Sequence, residues 1–407
     1  MYLSHLSLTS FRNYTRLEID LPARINVLVG ENAQGKTNLL EAIYYLATTK
    51  SPLASLDRQL INWAADEEVM PYARVEGVYT RAGEMHTIEA TLLKEPRPRG
   101  DSVVMTFRRQ VRLDGVRLRT LDAVGKLNVV LFMPEDISLV SGSPGGRRRY
   151  LDITLCQIDP LYCRSLSQYN RVMSQRNALL RQIRERAARA DELEYWDQQL
   201  SAHGAYLLAR RLWAVDQLGQ DVQPIHKDLT GGREQIALQY VNSIMERLGD
   251  GELQLAIGGD LLGERSEWEG RFRQALRAAR REEIARGVTV VGPHRDDLRF
   301  LLNGVDATIY ASRGQQRTVT LAIKLAEVAF MRRQTGEMPV LLLDDFLSEL
   351  DRKRCEWVLQ AISRAQQVLI TTTDLSYFRN DFLASAVLWR VAERVVSPLE
   401  RDSLATS

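Results

Sequence analysis

The sequence predicts an α/β fold in which a head with a β-rich lobe carries an inserted helical arm. Three observations predict it: a strand, loop and helix around Gly30 to Thr37, an apolar run ending in two carboxylates at Val340 to Asp345, and, between them, a stretch from about Asp159 to Gly287 with apolar residues at helical spacing. A chain of 407 residues has room for one large α/β domain and a second unit. The spacing places boundaries near 158, 287 and 380, giving a head in two parts (1–158 and 288–380), the arm (159–287) and a C-terminal strand or tail (381–407).

Composition narrows the class. Apolar residues at 45% and charged residues at 26% suit a globular protein and exclude disordered and fibrous chains. Net charge is only +2, so any surface for nucleic acid must come from local clustering. Cys156, Cys163 and Cys355 form no paired spacing and the five histidines are scattered, which supports neither a disulfide framework nor a zinc site. No secretory signal and no run of about 18 apolar residues is present, so a cytoplasmic protein is expected.

In chain order, Tyr2 to Thr9 alternates apolar and polar residues, and Arg16 to Leu21 repeats the pattern after a loop holding Phe11, Arg12, Asn13 and Tyr14. An antiparallel hairpin is expected. Arg12 and Asn13 lie close to where a base or ribose could sit; packing against the two aromatics is the other reading. Arg24 to Val29 then reads as a buried strand, and Asn38 to Leu46 as a helix. Gly30-Glu31-Asn32-Ala33-Gln34-Gly35-Lys36-Thr37 between them fits G-x-x-x-x-G-K-[ST] at every position. Glycines let the backbone wrap a triphosphate with inward N–H groups, and the helix adds its positive end. In such a loop Lys36 bridges the β- and γ-phosphates and Thr37 offers its hydroxyl to Mg²⁺.

From Tyr72 to about Leu121 strand follows strand, with a two-residue hairpin signal at Asp114-Gly115 and a turn or loose loop expected from Lys94 to Asp101. Gly142 to Gly146 breaks the chain before Arg147, Arg148 and Arg149. Three arginines oppose the dipole of a starting helix, so they either meet phosphate or form a solvated edge with one arginine paired to Asp152.

Gly and Pro are absent from Leu161 to Ala202. Tyr169, Val172, Met173, Arg176, Leu179, Leu180 and Ile183 fall on one helical stripe, and Leu193, Trp196, Leu200, His203 and Leu207 on a second. Trp196 and His203 read as core residues, and Arg277 to Glu283 as a solvated face. A helix of about 40 residues would reach about 60 Å. Gly287 stops the last helix, Val288 to Val291 reads as a strand, His294 to Asp297 as a turn that touches ligand or folds on itself, and Asn303-Gly304 as a hairpin.

The second half of the site starts at Ser312-Arg313-Gly314-Gln315-Gln316, where serine and glycine open a helix with an apolar face. One nucleotide cannot easily use two such helix ends from one subunit. The arrangement makes sense if this end faces the γ-phosphate of a partner's nucleotide, with ATP holding a head-to-tail dimer together. Val340 to Leu343 ends in Asp344, placed to hold Mg²⁺, and Asp345, placed to orient or deprotonate water as the catalytic carboxylate beside Lys36.

The phosphate loop, the S-R-G-Q-Q signature, the L-L-L-D-D strand and the following Ser348 and Asp351 stand in the order of the ATP-binding-cassette ATPases that act on DNA. With F-R-N-Y at 11–14, F-M-P-E-D at 132–136, R-R-R-Y-L-D at 147–152 and G-P-H-R-D-D at 292–297, the chain closely resembles the RecF family of bacterial recombination mediators, from about Met1 to Phe378. The resemblance implies ATP and DNA binding, an ATP-dependent homodimer, and work with RecR, RecO and RecA at gaps, in replication restart and in the SOS response. It implies an ATP site of Arg12, Asn13, Gly30, Glu31, Asn32, Ala33, Gln34, Gly35, Lys36, Thr37 and Asn38. It also implies a signature acting in trans, an interface loop at Ser348 and Asp351, and Asp374 near the switch position. Asp345 stands where many cassette ATPases have Glu, and Asp374 where they have His, so slow hydrolysis is expected. A short-armed chromosome-organising ATPase is the alternative; a transporter subunit fits less well, given the enlarged gap between Lys36 and Ser312.

Overall fold

The alternating N-terminal residues form β1 (Tyr2–Phe11), paired antiparallel with β2 (Tyr14–Asp20), so that Leu6, Leu8, Leu17 and Ile19 turn inward. β3 (Ile25–Val29) leads through the glycine loop into α1 (Lys36–Thr48). Strands β4 (Tyr72–Arg81), β5 (Glu84–Arg99), β6 (Ser102–Leu113), β7 (Val116–Leu118) and β8 (Val129–Phe132) follow. The middle of the chain holds α2 (Pro144–Ile158), α3 (Pro160–Arg184), α4 (Leu193–Thr230), β9 (Ile236–Val241) and α5 (Arg265–Arg286). Next come β10 (Asp297–Leu302), β11 (Val305–Asp306), α6 (Arg313–Thr335), β12 (Val340–Asp344), α7 (Arg352–Ile362), β13 (Val368–Thr372), β14 (Val387–Ala392) and β15 (Val395–Pro398). This computed structural model describes residues 1–67, 70–99, 102–249 and 265–399.

Two compact units result. Met1–Asp136 with Met331–Ser407 form the first, Ile137–Phe330 the second. In the first, an antiparallel sheet runs β2-β1-β4-β5-β6-β7 and a second sheet runs β15-β14-β3-β13-β12-β8, parallel except at β15. β13 lies between the loop strand β3 and the acidic strand β12. Thr371 is in register with Leu28 on one side and Asp344 on the other, which brings both motif-bearing strand ends level. These strands are apolar runs because both faces are covered.

The second unit departs from the expected boundaries. It takes in α2 and β10, because Arg147 of α2 pairs with Asp297 of β10 and Asp152 of α2 with Arg211 of α4. The stripe on α3 is buried at Tyr169, Val172, Arg176, Leu179 and Leu180 as its spacing predicts, while Trp196 and His203 sit only half-buried at the rim of α4. The stretch free of Gly and Pro is not one helix. It breaks after Arg184, with Arg186 left-handed at φ 62°, and α4 then runs 38 residues through Gly204, Gly219 and Pro224. Gly204 is required there by close packing, since a Cβ would lie 2.4 Å from the Phe272 ring.

Three further expectations change. Lys94 to Arg99 is not a loop but the end of β5, paired with Ser102 to Phe107; Gly100 and Asp101 lie outside the described residues. Pro96 and Pro98 are tolerated because, among the described residues, the pairing with β4 ends at Leu93, and on an open edge a missing N–H costs nothing. Val288 to Val291 forms no strand: Asn177 binds the Thr289 amide (2.8 Å) and Glu283 the Val290 amide (2.9 Å), so side chains satisfy the backbone that a ladder would otherwise pair. Nor is Arg277 to Glu283 wholly solvated, for Glu283 is fully buried against Arg176, which also holds Asp197 at 2.8 Å. The turns at Asp114-Gly115 and Asn303-Gly304 and the stop at Gly287 form as the spacing predicts, each with positive φ.

Replacing Arg176 with Leu leaves Glu283 buried without its cation. A loss of about 3–5 kcal/mol in unfolding free energy is expected by chemical denaturation; a change within error would show that the pair contributes nothing to the second unit.

Candidate nucleotide site

The glycine loop of the first unit is shaped by what surrounds it. Gly30 follows β3, and a Cβ there would lie 2.1 Å from the Val391 carbonyl oxygen of β14. Gly35 sits at φ 109°, where a Cβ would meet Asn13 Nδ2 at 2.7 Å and Tyr14 Oη at 2.9 Å. The turn between β1 and β2 is therefore seated on the loop. Tyr14 donates its hydroxyl to the Gly35 carbonyl (3.1 Å), and Asn38 donates to Asn13 Oδ1 (2.7 Å). Gln34 accepts from the Glu393 amide at 2.7 Å, which ties the loop to the β14–β15 turn, a contact the sequence did not suggest. Glu31, Asn32 and Ala33 remain exposed.

Arg12 is placed differently from its neighbour. Its guanidinium grips Glu41 of α1 through two bonds of 2.7 and 2.8 Å and reaches the Gln59 carbonyl at 3.2 Å. Arg12 thus pairs with Glu41 and the Gln59 carbonyl, while Asn13 and Tyr14 touch the loop and the start of α1.

At the loop's end Lys36 is buried, with Nζ 2.5 Å from the Gly30 carbonyl oxygen and 2.7 Å from that of Glu31. Burial lowers its pKa, and Asp345 and Asp344 work against that shift. Thr37 donates to Asp344 Oδ1 at 3.0 Å, and Thr371 donates to the same oxygen at 2.7 Å. The Asp344 carboxyl is held above its usual range, first by burial and then by Asp345 and Glu135, while the two hydroxyls oppose the shift. Asp345, left-handed at φ 44°, donates its amide to the Thr371 hydroxyl oxygen (2.9 Å), and its carbonyl accepts from Ser348 Oγ (2.6 Å). Asp351 caps α7 by accepting from the Arg354 amide at 3.0 Å, and Asp374 caps the next turn through Ser376.

The donor set fits a hard divalent cation: Thr37 Oγ1 and Asp344 Oδ1 are adjacent oxygens beside a phosphate-shaped loop. Sequence reasoning did not single out Thr371. The apolar run Val368 to Ile370 marks a strand, but only the pairing of β13 with β12 places the Thr371 hydroxyl on Asp344.

In the second unit, Ser312 and Gln315 cap α6 reciprocally: Ser312 Oγ accepts from the Gln315 amide (3.3 Å), and Gln315 Oε1 accepts from the Ser312 amide (2.8 Å). Gln315 also donates to Glu234 at 2.9 Å, and the Gln316 amide bonds the Ser312 carbonyl. Ser312, Arg313 and Gly314 are exposed, with open space around Gly314. The arginines of α2 are less available. Arg147 is buried in a two-bond pair with Asp297 (2.7 and 2.8 Å), and Arg148 donates to the Asp296 carbonyl (2.7 Å). These bonds hold two of the three arginines that open that helix. Asp152 is held by Arg211, and Arg149 is exposed.

The His294 to Asp297 turn is tied to other elements of the second unit. Asp296 accepts from Tyr240 (2.8 Å) and from the Ser243 amide (2.9 Å), and His294 Nδ1 lies 2.7 Å from Tyr169 Oη. Burial pushes the His294 pKa down to about 4.

Residues 2–391 match the family described as the RecF/RecN/SMC N terminal domain. The chain is 44% identical over 401 residues to the DNA replication and repair protein RecF of Chloroflexus aurantiacus, across 97% of this chain and 98% of the relative. It is 45% identical to the protein of that name from Chloroflexus aggregans, over the same shares. Among solved structures it resembles the recombination mediator protein RecF-ATPrS in the RecFOR pathway, with 30% identity, a TM-score of 0.83 and 98% of each chain covered. An Smc head bound to the C-winged helix domain of ScpA is similar in fold alone, with a TM-score of 0.52 and 16% identity across the whole of both chains.

Asp344→Asn keeps an oxygen for both hydroxyls and removes the buried charge. Because the folded chain holds the Asp344 proton more tightly than the unfolded chain, stability falls as pH rises past the unfolded value and is lowest above the folded one. The variant, without nucleotide, is therefore expected to melt higher than the native chain at about pH 7, with the gain vanishing near pH 3. Equal melting temperatures at both pH values would contradict it.

Proposed function

Since the chain belongs to the RecF family, within the RecF/RecN/SMC group, we propose that it is an ATP-gated DNA-binding protein of replication and recombinational repair in the cytoplasm, with weak, DNA-stimulated ATPase activity. One observation carries this reading: the phosphate loop and the acidic strand converge on a single carboxylate, with Thr37 and Thr371 both bound to Asp344. Lys36 neutralises the β- and γ-phosphates, and the loop N–H groups and the α1 N-terminus bind the remaining oxygens. Thr37 and Asp344 are the residues to hold Mg²⁺, which when bound supplies charge neutralisation at the phosphates. Asp345 orients or deprotonates water. As the shorter carboxylate it reaches less far than Glu, in keeping with slow turnover and a nucleotide that times DNA release.

The exposed Ser312 to Gly314 tip faces the triphosphate of a second copy, so two ATP molecules hold a head-to-tail dimer, with Ser348 and Asp351 crossing the interface. RecR, with RecO and RecA, is the expected set of partners at DNA gaps, and SOS induction a consequence. Among the described residues no helix is long and apolar enough to cross a membrane.

Light scattering tests the dimer. The native chain is expected to double in mass with ATP, and neither Lys36→Ala nor Ser312→Arg to do so. Mixed, these two variants form a heterodimer with one intact site. Lys36→Ala removes a charge-assisted interaction of about 1.5–3 kcal/mol in total, a loss of about 10- to 150-fold in ATP affinity. A native chain that stays monomeric with ATP would sink the reading. In a separate measurement, Asp345→Asn is expected to slow turnover by about 10²–10⁴-fold at unchanged ATP affinity.

A further inference from the structure

We propose that the β6–β7 edge of the antiparallel sheet is a contact surface for the phosphate backbone of duplex DNA, centred on Arg112 and Arg117. The proposal rests on the DNA-binding reading above and gives it a location on the chain.

Alternation along the strands puts one face of this sheet toward the core and the other outward. On the outer face the β1, β2 and β4 region neutralises itself. His5 lies between Glu18 (3.0 Å) and Asp20 (2.7 Å), and Arg74 bonds both Glu76 and Glu89. The β6–β7 edge does not. Arg112 and Arg117 are directly opposite in the antiparallel register, so both side chains project from the same face, and both are exposed. Among the described residues no carboxylate forms an ion pair with either.

The nearest acids are engaged elsewhere. Glu89 is the register partner of Arg112 across β5, but its carboxylate lies 2.9 Å from Arg74. Asp114, in the β6–β7 turn, binds the Thr87 amide (2.7 Å) and His86 (2.9 Å), bonds that hold its carboxyl below the usual range. Like charges directly opposite on a sheet destabilise it. An anion between the two guanidiniums removes that cost, and the planar fork of arginine matches phosphate.

Arg108 extends the surface. It lies four residues back on the same face of β6, about 13 Å away at about 3.3 Å per residue, and is only loosely paired with Glu95 at 3.7 Å. Cations in a row along an exposed strand suit a repeating phosphate backbone better than a single small anion. Such contacts position DNA without reading its sequence. This also answers how a chain of net charge +2 can bind DNA while Arg147 is buried in an ion pair.

The test is the salt dependence of binding to a duplex oligonucleotide with ATP present, for the native chain, Arg112→Gln/Arg117→Gln, and Arg112→Lys/Arg117→Lys. Each cation that no longer neutralises a phosphate flattens the slope of log affinity against log salt by about 0.9, so the glutamine pair is expected to flatten it by about 1.8 for each copy that touches the duplex and the lysine pair to keep most of it. ATP-dependent dimer mass should not change, and the melting temperature should hold or rise. A glutamine pair with native affinity and slope overturns the proposal while leaving DNA binding intact. A native chain that binds no duplex overturns both readings.

Discussion

The carboxylate of Asp344 is the point on which the first unit turns. It is buried, and burial alone penalises its charge, so the fold surrounds it with the hydroxyls of Thr37 and Thr371 and sets Lys36 nearby. Three elements distant in sequence are brought to one oxygen: the start of α1, the end of β12 and the end of β13. A buried anion with only neutral donors on it is costly for a folded chain. The proposed function accounts for that cost, since a cation and a triphosphate bound there would offset it.

The surroundings of the loop follow the same logic. Gly30 and Gly35 are required less by the loop's own turn than by what packs on it, the Val391 carbonyl on one side and Asn13 with Tyr14 on the other. The N-terminal hairpin and the C-terminal strands thus both rest on the phosphate loop. Arg12 serves this arrangement from behind, joining the hairpin turn to α1 through the buried Glu41.

The second unit has a polar interior for a helical domain. Arg176 holds Asp197 and Glu283, while Arg211 holds Asp152, Tyr162 and the Pro293 carbonyl. Such pairs need their partners, since removing one leaves an uncompensated charge. One of these partners, Asp152, follows the three arginines, and Asp297 at the end of the charged turn pairs in the same way with Arg147. In those positions the charge stabilises the unit from within.

Much of this protein was legible from local pattern. Strand and helix periods, the phosphate loop, the acidic strand, the helix start at Ser312, and the positive-φ turns at Asp114-Gly115 and Asn303-Gly304 depend on residues within a few positions of one another, and local spacing is what a sequence displays. Tertiary structure decided what required partners far along the chain. Thr37 meets Asp344 across 307 positions, Gln34 meets the Glu393 amide across 359, and Arg147 meets Asp297 across 150. Val288 to Val291 has a strand's composition but no strand, because side chains of Asn177 and Glu283 reach its amides first; Pro96 and Pro98 look like a loop but lie in a strand whose outer edge needs no donor. A hydrogen bond or ion pair forms where two groups meet in space, and only the folded chain determines which groups meet.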